Sequence, residues 1–173
     1  SLHAGQYCTN PGLIFIVDSD KSKKFISELG LSLSQVGEQT MLHPSIYENF
    51  LRNEQKINAN DEIKNIVELR PSSSNSITPI LRITDIDNFL LSKELQQEVF
   101  GSHTLIVLVK KEEQFMRAVQ SLNGQLTISI FGEEENLLKN RSFIQNCEQK
   151  AGRLIFNDVP TGVRVCKSMN HGG

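Results

Sequence analysis

The chain has 173 residues, of which 38% are hydrophobic, enough for one domain with a substantial core and too few for two full domains. Its formal net charge is -2, and acidic and basic residues are interspersed, so the sequence has no electrostatic footprint for nucleic acid or for an anionic membrane surface. The apolar runs are shorter than the roughly 20 residues of a membrane-spanning helix, and no secretory signal is evident.

The first sixty residues predict a strand and two helices. Leu13–Val17 is a continuous apolar run, typical of a strand that is covered on both faces. Asp18-Ser19-Asp20 supplies capping oxygens for a helix that we expect to end at Gly30. His43-Pro44-Ser45 opens a second amphipathic helix, which fades near Asn58.

The middle of the chain alternates between short elements. The stretch from Ile63 to Leu69 is ambiguous between a helix end and a strand, and residues 71–76 are loop by composition. A strand is predicted for Pro79–Ile83 and one or two helical turns for Asp85–Leu91. Thr104–Val109 is again a continuous apolar run and predicts a buried strand.

The last third repeats this alternation. We predict a helix over Glu112–Leu122, a strand over Gln125–Phe131, a helix from about Asn136 to Ala151 that Gly152 stops, and a strand over Arg153–Phe156. Alternating elements of this kind predict an α/β fold, with an open, mostly parallel sheet and helices on both faces.

The cysteines and histidines argue against disulfides and metals. Cys8, Cys147 and Cys166 form an odd set without Cys-x-x-Cys spacing, which favours a reducing compartment, and we predict a cytoplasmic protein. The histidines lack the paired spacings of zinc sites, so no metal is expected. The four histidines are His3, His43, His103 and His171.

Cys8 is the candidate nucleophile. A lone cysteine is more often a small buried hydrophobe, but Cys8 lies between Gly5 and Gly12, in a loop that leads directly into a buried strand. Glycine permits close backbone approach and unusual dihedral angles, and Pro11 excludes a helix or a central strand. The segment is therefore a shaped loop that presents a thiol to a substrate.

Three elements of the sequence resemble the aldehyde dehydrogenase superfamily. Gly5-Gln6-Tyr7-Cys8-Thr9 is similar to its active-site signature, and Glu98-Val99-Phe100-Gly101 to its Glu-x-Phe-Gly element. Gly152-Arg153-Leu154-Ile155-Phe156-Asn157 resembles its late Gly-x-x-x-x-Asn strand. The three elements occur in the family's order and at about its spacing, so the resemblance covers nearly the whole chain.

The resemblance implies roles for these residues. Cys8 would attack the aldehyde carbon, Glu98 would hold the nicotinamide ribose hydroxyls, and Phe100 would pack beside the nicotinamide of NADP or NAD. Asn157 would support the active-site loop. The substrate-lining or structural residues that follow it would be Asp158, Val159 and Thr161.

The resemblance also implies a domain organisation. Residues 1–173 would form a single domain, the C-terminal catalytic domain of the aldehyde dehydrogenase fold. The family's cofactor-binding domain, its general-base glutamate and an asparagine donor for the oxyanion lie before the cysteine, and we expect all three to be absent here. We therefore expect the isolated chain to have little or no dehydrogenase activity and to form homo-oligomers.

Two departures from the general family pattern point to one branch. Cys8-Thr9-Asn10-Pro11-Gly12 and Pro160-Thr161-Gly162-Val163 both look like the enzymes that act on 2-oxoglutarate semialdehyde, also called 2,5-dioxovalerate, usually with NADP. The implied reaction is oxidation of this small aldehyde to its carboxylic acid, through a thiohemiacetal and a thioester on Cys8.

Two other classes of function remain open. A cysteine hydrolase or acyltransferase would need an imidazole within hydrogen-bond reach of the Cys8 sulfur. A non-catalytic interaction domain would show Cys8 alkylated no faster than Cys147 and Cys166.

Overall fold

A computed structural model describes residues 3–69, 71–162 and 167 of the chain. Cys166 and His171, named above, lie outside these residues. The structure divides into two compact units, residues 1–111 and residues 112–173. The assignment of residues 1–173 to one domain stays a prediction.

The first unit contains a four-stranded sheet of order β1-β6-β5-β3 and an antiparallel pair β2-β4. In the large sheet β1, β6 and β5 are parallel, and β3 runs antiparallel to β5. The strands and helices of this unit are β1 (Leu13–Val17), α1 (Asp20–Ser34), β2 (Gln39–Thr40), α2 (Pro44–Asn58), β3 (Lys64–Glu68), β4 (Ser76–Ile77), β5 (Ile80–Asp85), α3 (Ile86–Leu91) and β6 (His103–Val109).

Helices cover both faces of the large sheet. On one face Ile26 of α1 belongs to a core cluster with Leu81 and Ile106. Neighbouring residues of a strand point to opposite faces, and on the other face Phe15 of β1 makes an edge-to-face contact with Phe89 of α3, at 5.2 Å between ring centroids. This arrangement confirms the predicted fold class.

Helix α1 starts where the sequence predicts and ends later. Ser19 is its N-cap, and its side chain accepts a hydrogen bond from the backbone N–H of Ser22. The predicted end at Gly30 is wrong, because the helix continues to Ser34. A Cβ at Gly30 would lie 3.1 Å from Cγ2 of Ile66. This glycine therefore allows close packing of the helix against β3 and does not stop it.

The other predicted elements of this unit are confirmed with small shifts. Helix α2 has Pro44 at its first position and His43 as N-cap, with its ring accepting from the N–H of Ser45. The ambiguous stretch after Ile63 is the strand β3.

In its described residues, 112–162 and 167, the second unit is a parallel two-stranded sheet with three helices. Its elements are α4 (Glu113–Ser121), β7 (Gln125–Ile130), α5 (Glu134–Lys139), α6 (Arg141–Lys150) and β8 (Ala151–Phe156). The single helix predicted from Asn136 to Ala151 is wrong: the chain breaks at Asn140, with φ -101° and ψ 39°, into α5 and α6. Gly152 lies inside β8, because α6 has already ended at Lys150.

The two cysteines that the structure describes have contrasting environments. Cys147 on α6 is fully buried, and burial raises the pKa of its thiol to about 11. Cys8 is exposed. Within the described residues, no helix is both long and apolar enough to cross a membrane.

Candidate functional site

The loop that carries Cys8 begins with an unusual backbone. His3, Ala4 and Gly5 all have positive φ, at 50°, 56° and 66°. The backbone N–H of Asn10 then donates to the carbonyl of Tyr7 at 3.0 Å, which closes a turn around Cys8. The exposed thiol of Cys8 therefore lies on a tight, hydrogen-bonded turn.

This cysteine loop, residues 3–12, rests on the backbone at the start of β6. A Cβ at Gly5 would lie only 2.5 Å from the carbonyl oxygen of Gly101, so the two backbones are in close contact. The side-chain amide of Asn10 donates to the same Gly101 oxygen at 3.1 Å. The hydroxyl of Thr104 donates to the carbonyl of Pro11 at 2.9 Å.

These contacts bring two of the predicted site elements together. Glu98 and Phe100 belong to the segment that ends at Gly101, 91 residues beyond Asn10 in the chain. Val99, which is 7% exposed, points into the protein between them, while Glu98 is exposed and Phe100 is half-buried. The structure therefore places a carboxylate and an aromatic ring on the segment against which the cysteine loop docks.

The remaining predicted residues lie in the second unit, at the end of β8. Asn157 has φ 52°, and its side-chain amide makes two hydrogen bonds to Gly132, accepting from N–H at 2.9 Å and donating to C=O at 3.0 Å. Asp158 accepts from the N–H of Val159, and the carbonyl of Thr161 accepts from Arg153. Asn157 thus joins the ends of β7 and β8.

Two substitutions of Asn157 test whether it stabilises the second unit by joining the ends of β7 and β8. Asn157→Ala would lose both side-chain bonds and place an alanine at positive φ, and we expect it to lower the free energy of unfolding by about 2 kcal/mol. Asn157→Gly loses the same bonds without the backbone strain, so its loss should be smaller, about 1 kcal/mol. Urea unfolding measures both, and equal losses would contradict the strained conformation.

A buried charged cluster, which the sequence patterns did not single out, includes His103 at the start of β6. Arg82, Glu54 and His103 are 0%, 5% and 4% exposed. Nη2 of Arg82 lies 2.6 Å from Glu54 Oε2 and 3.6 Å from Oε1 of Glu68, and Nε2 of His103 lies 3.5 Å from Glu54 Oε1. Burial raises the pKa of Glu54 to about 7 and lowers the pKa of His103 to about 3.

These two shifts predict an unusual pH dependence of stability. The contribution of Glu54 is complete below its ordinary pKa of 4.5 and is lost as the pH rises towards 7. The contribution of His103 is complete above its ordinary pKa of 6.5 and is lost as the pH falls towards 3. Between pH 4.5 and 6.5 the folded pair and the unfolded pair each hold one proton, so the two slopes cancel.

The variant Glu54→Gln removes the contribution of Glu54 to the pH dependence of stability and leaves that of His103. With His103 still buried and the charge of Arg82 still acting on it, we expect the stability of the variant to fall as the pH drops from 6.5 to 4.5, relative to the wild type. The measurement is urea unfolding of both proteins at three pH values in that range, so that all other groups cancel in the difference. Parallel pH profiles would contradict the assignment.

The imidazoles of the three described histidines contact groups other than the Cys8 sulfur. His3 makes an edge contact with Tyr7, His43 caps α2, and His103 faces Glu54. No hydrogen bond joins Cys8 to these imidazoles in the described part of the chain, so the hydrolase alternative gains no support. Within residues 3–69, 71–162 and 167, no group of three or more His, Cys, Asp or Glu side chains could hold a metal ion.

Asn10 and the charged cluster are the residues that sequence reasoning missed. The partner of Asn10 is distant in the chain, so nothing local marks the bond. Arg82 did leave a signal, because an arginine inside the apolar strand Pro79–Ile83 must be paired when buried. Glu54 lies four residues after Phe50 and three before Ile57, on the buried side of α2.

Comparisons with known proteins agree with the sequence resemblance. No family model matches the chain. Two curated relatives match all of it: an alpha-ketoglutaric semialdehyde dehydrogenase of Acinetobacter baylyi, 31% identical over 176 residues, and an alpha-ketoglutaric semialdehyde dehydrogenase 2 of Azospirillum brasilense, 29% identical over 174 residues. The chain spans 33% of the length of each.

Solved structures share its fold. A delta-pyrroline-5-carboxylate dehydrogenase of Mycobacterium tuberculosis matches with a TM-score of 0.76 and 15% identity, over 94% of this chain and 32% of that one. A betaine aldehyde dehydrogenase of Staphylococcus aureus matches with a TM-score of 0.73 and 16% identity, over 98% and 36%. Along its whole length the chain is similar to aldehyde dehydrogenases, and it spans about a third of the length of the curated relatives it matches.

Proposed function

We propose that this chain supplies the catalytic cysteine of an NAD(P)-dependent aldehyde dehydrogenase. The observation that carries the proposal is the contact between the cysteine loop and the segment of Glu98 and Phe100, made through Gly5 and Asn10 against Gly101. Two motifs that are far apart in the sequence thereby become neighbours, as the joint use of a thiol and a nicotinamide requires.

Cys8 is exposed, as a nucleophile that meets a substrate must be. The thiolate adds to the aldehyde carbon, so that a C–S bond forms and the carbonyl oxygen takes up the negative charge. The backbone N–H of Cys8 is one donor to that oxygen, as the family resemblance implies. Loss of a hydride from the same carbon leaves a thioester, and water then releases the acid and restores the thiolate.

The residues beside the loop fit a nicotinamide nucleotide. The carboxylate of Glu98 is an acceptor for two ribose hydroxyls, and it is exposed at the protein surface. Phe100 is half-buried, which fixes its ring while leaving one part free to pack against a flat heterocycle. When bound, the nicotinamide supplies the hydride acceptor.

We propose 2-oxoglutarate semialdehyde as the substrate. Both curated relatives carry that substrate in their names. The proposal is also supported by Asn10-Pro11 after the cysteine and by Pro160-Thr161 after β8, which resemble this branch of the family. Asn157, Asp158, Val159 and Thr161 would line or support the substrate site.

A chimera tests the proposed activity. In the chimera, the chain replaces the matching third of the Acinetobacter baylyi relative. The assay follows the reduction of NADP or NAD with 2-oxoglutarate semialdehyde as the substrate. We expect oxidation at a rate within about a hundredfold of the unmodified relative, and preference for the semialdehyde over an aldehyde of equal length without the carboxylate. A chimera that unfolds cooperatively yet oxidises no aldehyde would contradict the proposal.

The isolated 173-residue chain is the matched comparison for the chimera. We expect its rate of NADP reduction to lie at background, because the resemblance assigns the general base and one oxyanion donor to other parts of the enzyme. A rate similar to that of the chimera would show that the chain needs neither. We also propose that the chain forms homo-oligomers, which light scattering after size-exclusion chromatography would detect.

A further inference from the structure

The position of the cysteine loop depends on a short stretch of backbone, residues 101–105. Gly5 lies against Gly101, and the Asn10 side chain donates to the Gly101 carbonyl at 3.1 Å. The backbone N–H of Leu105 donates to the carbonyl of Gly12 at 2.9 Å. Any shift of residues 101–105 would therefore move both ends of the loop that carries Cys8.

Helix α2 packs against that stretch. A Cβ at Gly101 would stand 2.6 Å from Cδ2 of Phe50, so the Phe50 ring lies directly against the backbone there. Residues four apart on a helix share one face, and one turn after Phe50 the same face presents Glu54 to His103. Gly101 and His103 are thus both contacted by α2.

His103 is well placed to transmit this restraint. Its own N–H donates to the carbonyl of Gly101 at 2.8 Å, and its ring is 4% exposed with Nε2 3.5 Å from Glu54 Oε1. Glu54 is in turn held by Arg82 at 2.6 Å, on the neighbouring strand of the same sheet. The three side chains connect α2, β5 and β6 next to the backbone that contacts the loop.

Burying charged side chains in a core costs desolvation free energy. Replacing a buried ion pair by apolar side chains is often neutral or stabilising, because desolvation of the charges offsets their attraction. Stability alone therefore gives a weak reason for Arg82 and Glu54 at 0% and 5% exposure. Positioning of a functional segment is a better reason, because Nη2 of Arg82, 2.6 Å from Glu54 Oε2, fixes where the Glu54 side chain lies between α2 and β5.

We infer that Glu54 and His103 are positioning residues, which hold the Gly101–His103 backbone at the place where the cysteine loop and the Glu98–Phe100 segment meet. Arg82 keeps the Glu54 carboxylate oriented towards His103. The relevance of this restraint to aldehyde oxidation rests on the proposed function, but the restraint itself does not.

The test compares Glu54→Gln with Ile57→Val in the 173-residue chain. Ile57 is 2% exposed and on the same helix, so its truncation weakens the packing of α2 without touching the cluster. Hydrogen exchange is measured by mass spectrometry on peptides that cover residues 3–12 and 98–105. We expect Glu54→Gln to raise exchange in both peptides at least fivefold and Ile57→Val to leave them within twofold of wild type.

Cys8 alkylation provides a second readout, which purely structural loosening of α2 would not change. With peptide mapping of the iodoacetamide adduct, the rate at Cys8 should change at least threefold in Glu54→Gln and stay unchanged in Ile57→Val. Wild-type exchange and alkylation in folded Glu54→Gln, or equal changes in both variants, would overturn the inference. Neither readout uses an aldehyde or a nucleotide, so an inactive chimera would leave this result unaffected.

A second pair of variants applies if Glu54→Gln does not fold. His103→Gln retains a side-chain N–H that can donate to Glu54, whereas His103→Leu fills the space without a donor. We expect wild-type exchange of residues 3–12 in the glutamine variant and faster exchange in the leucine variant. Identical exchange in the two would also overturn the inference.

Discussion

Cys8→Ala should abolish aldehyde oxidation by the chimera, with a loss of kcat on the order of 10⁴-fold or more, the scale seen when a covalent nucleophile is removed. Alanine leaves no atom to form the bond with the aldehyde carbon, and Cys8 is exposed, so the substitution opens no cavity in the core. Steady-state kinetics with the semialdehyde measures the loss.

Cys147→Ala is the matched control for this variant. Cys147 is fully buried with a thiol pKa raised to about 11, so it carries almost no thiolate near neutral pH. Its replacement should lower stability by roughly 1 kcal/mol and leave kcat within about threefold. Residual activity of the Cys8→Ala chimera above about 1% would assign the nucleophile to another group.

Gly5→Ala should strongly destabilise the protein. Gly5 has φ 66°, where an alanine is strained by roughly 1–2 kcal/mol. Its Cβ would also lie 2.5 Å from the Gly101 oxygen and 2.7 Å from the Ser102 nitrogen, and these backbone atoms cannot rotate away. The cysteine loop would have to leave its contact with the start of β6.

We expect Gly5→Ala to lower the free energy of unfolding by about 3 kcal/mol, from the strain and the lost contacts together. Gly12→Ala is the control in the same loop, because no atom lies within 4 Å of the added Cβ. It should change stability by less than about 0.5 kcal/mol. Urea unfolding of the two variants gives the comparison, and similar values would show that the close approach of Gly5 to Gly101 does not exist.

The local elements of this fold could be predicted from the sequence where the signal is itself local. Leu13–Val17 is a strand because the run is apolar throughout, and α1 begins at Asp20 because Ser19 caps it. The end of α1 could not be predicted, since Gly30 serves a contact with Ile66 that only tertiary packing creates. The break at Asn140 likewise has no clear mark in the apolar spacing around it.

In the candidate site, too, residues with a local sequence signal could be predicted and long-range contacts could not. Family resemblance identified Cys8, Glu98, Phe100 and Asn157 by their neighbours in the sequence. It could not show that Asn10 donates to Gly101, or that Glu54 faces His103, because each contact joins residues on different elements. A charged residue in an apolar run, as at Arg82, is the one sequence signal that would have pointed to the buried cluster.

The most direct test of the central claim is to titrate Cys8 with iodoacetamide in the active chimera and to follow activity against the labelled fraction. Peptide mapping gives the fraction of Cys8 that carries the label. If Cys8 is the nucleophile, activity falls in proportion to that fraction and reaches zero at full labelling, and the semialdehyde slows the labelling of Cys8. Undiminished activity with Cys8 fully labelled would contradict the account.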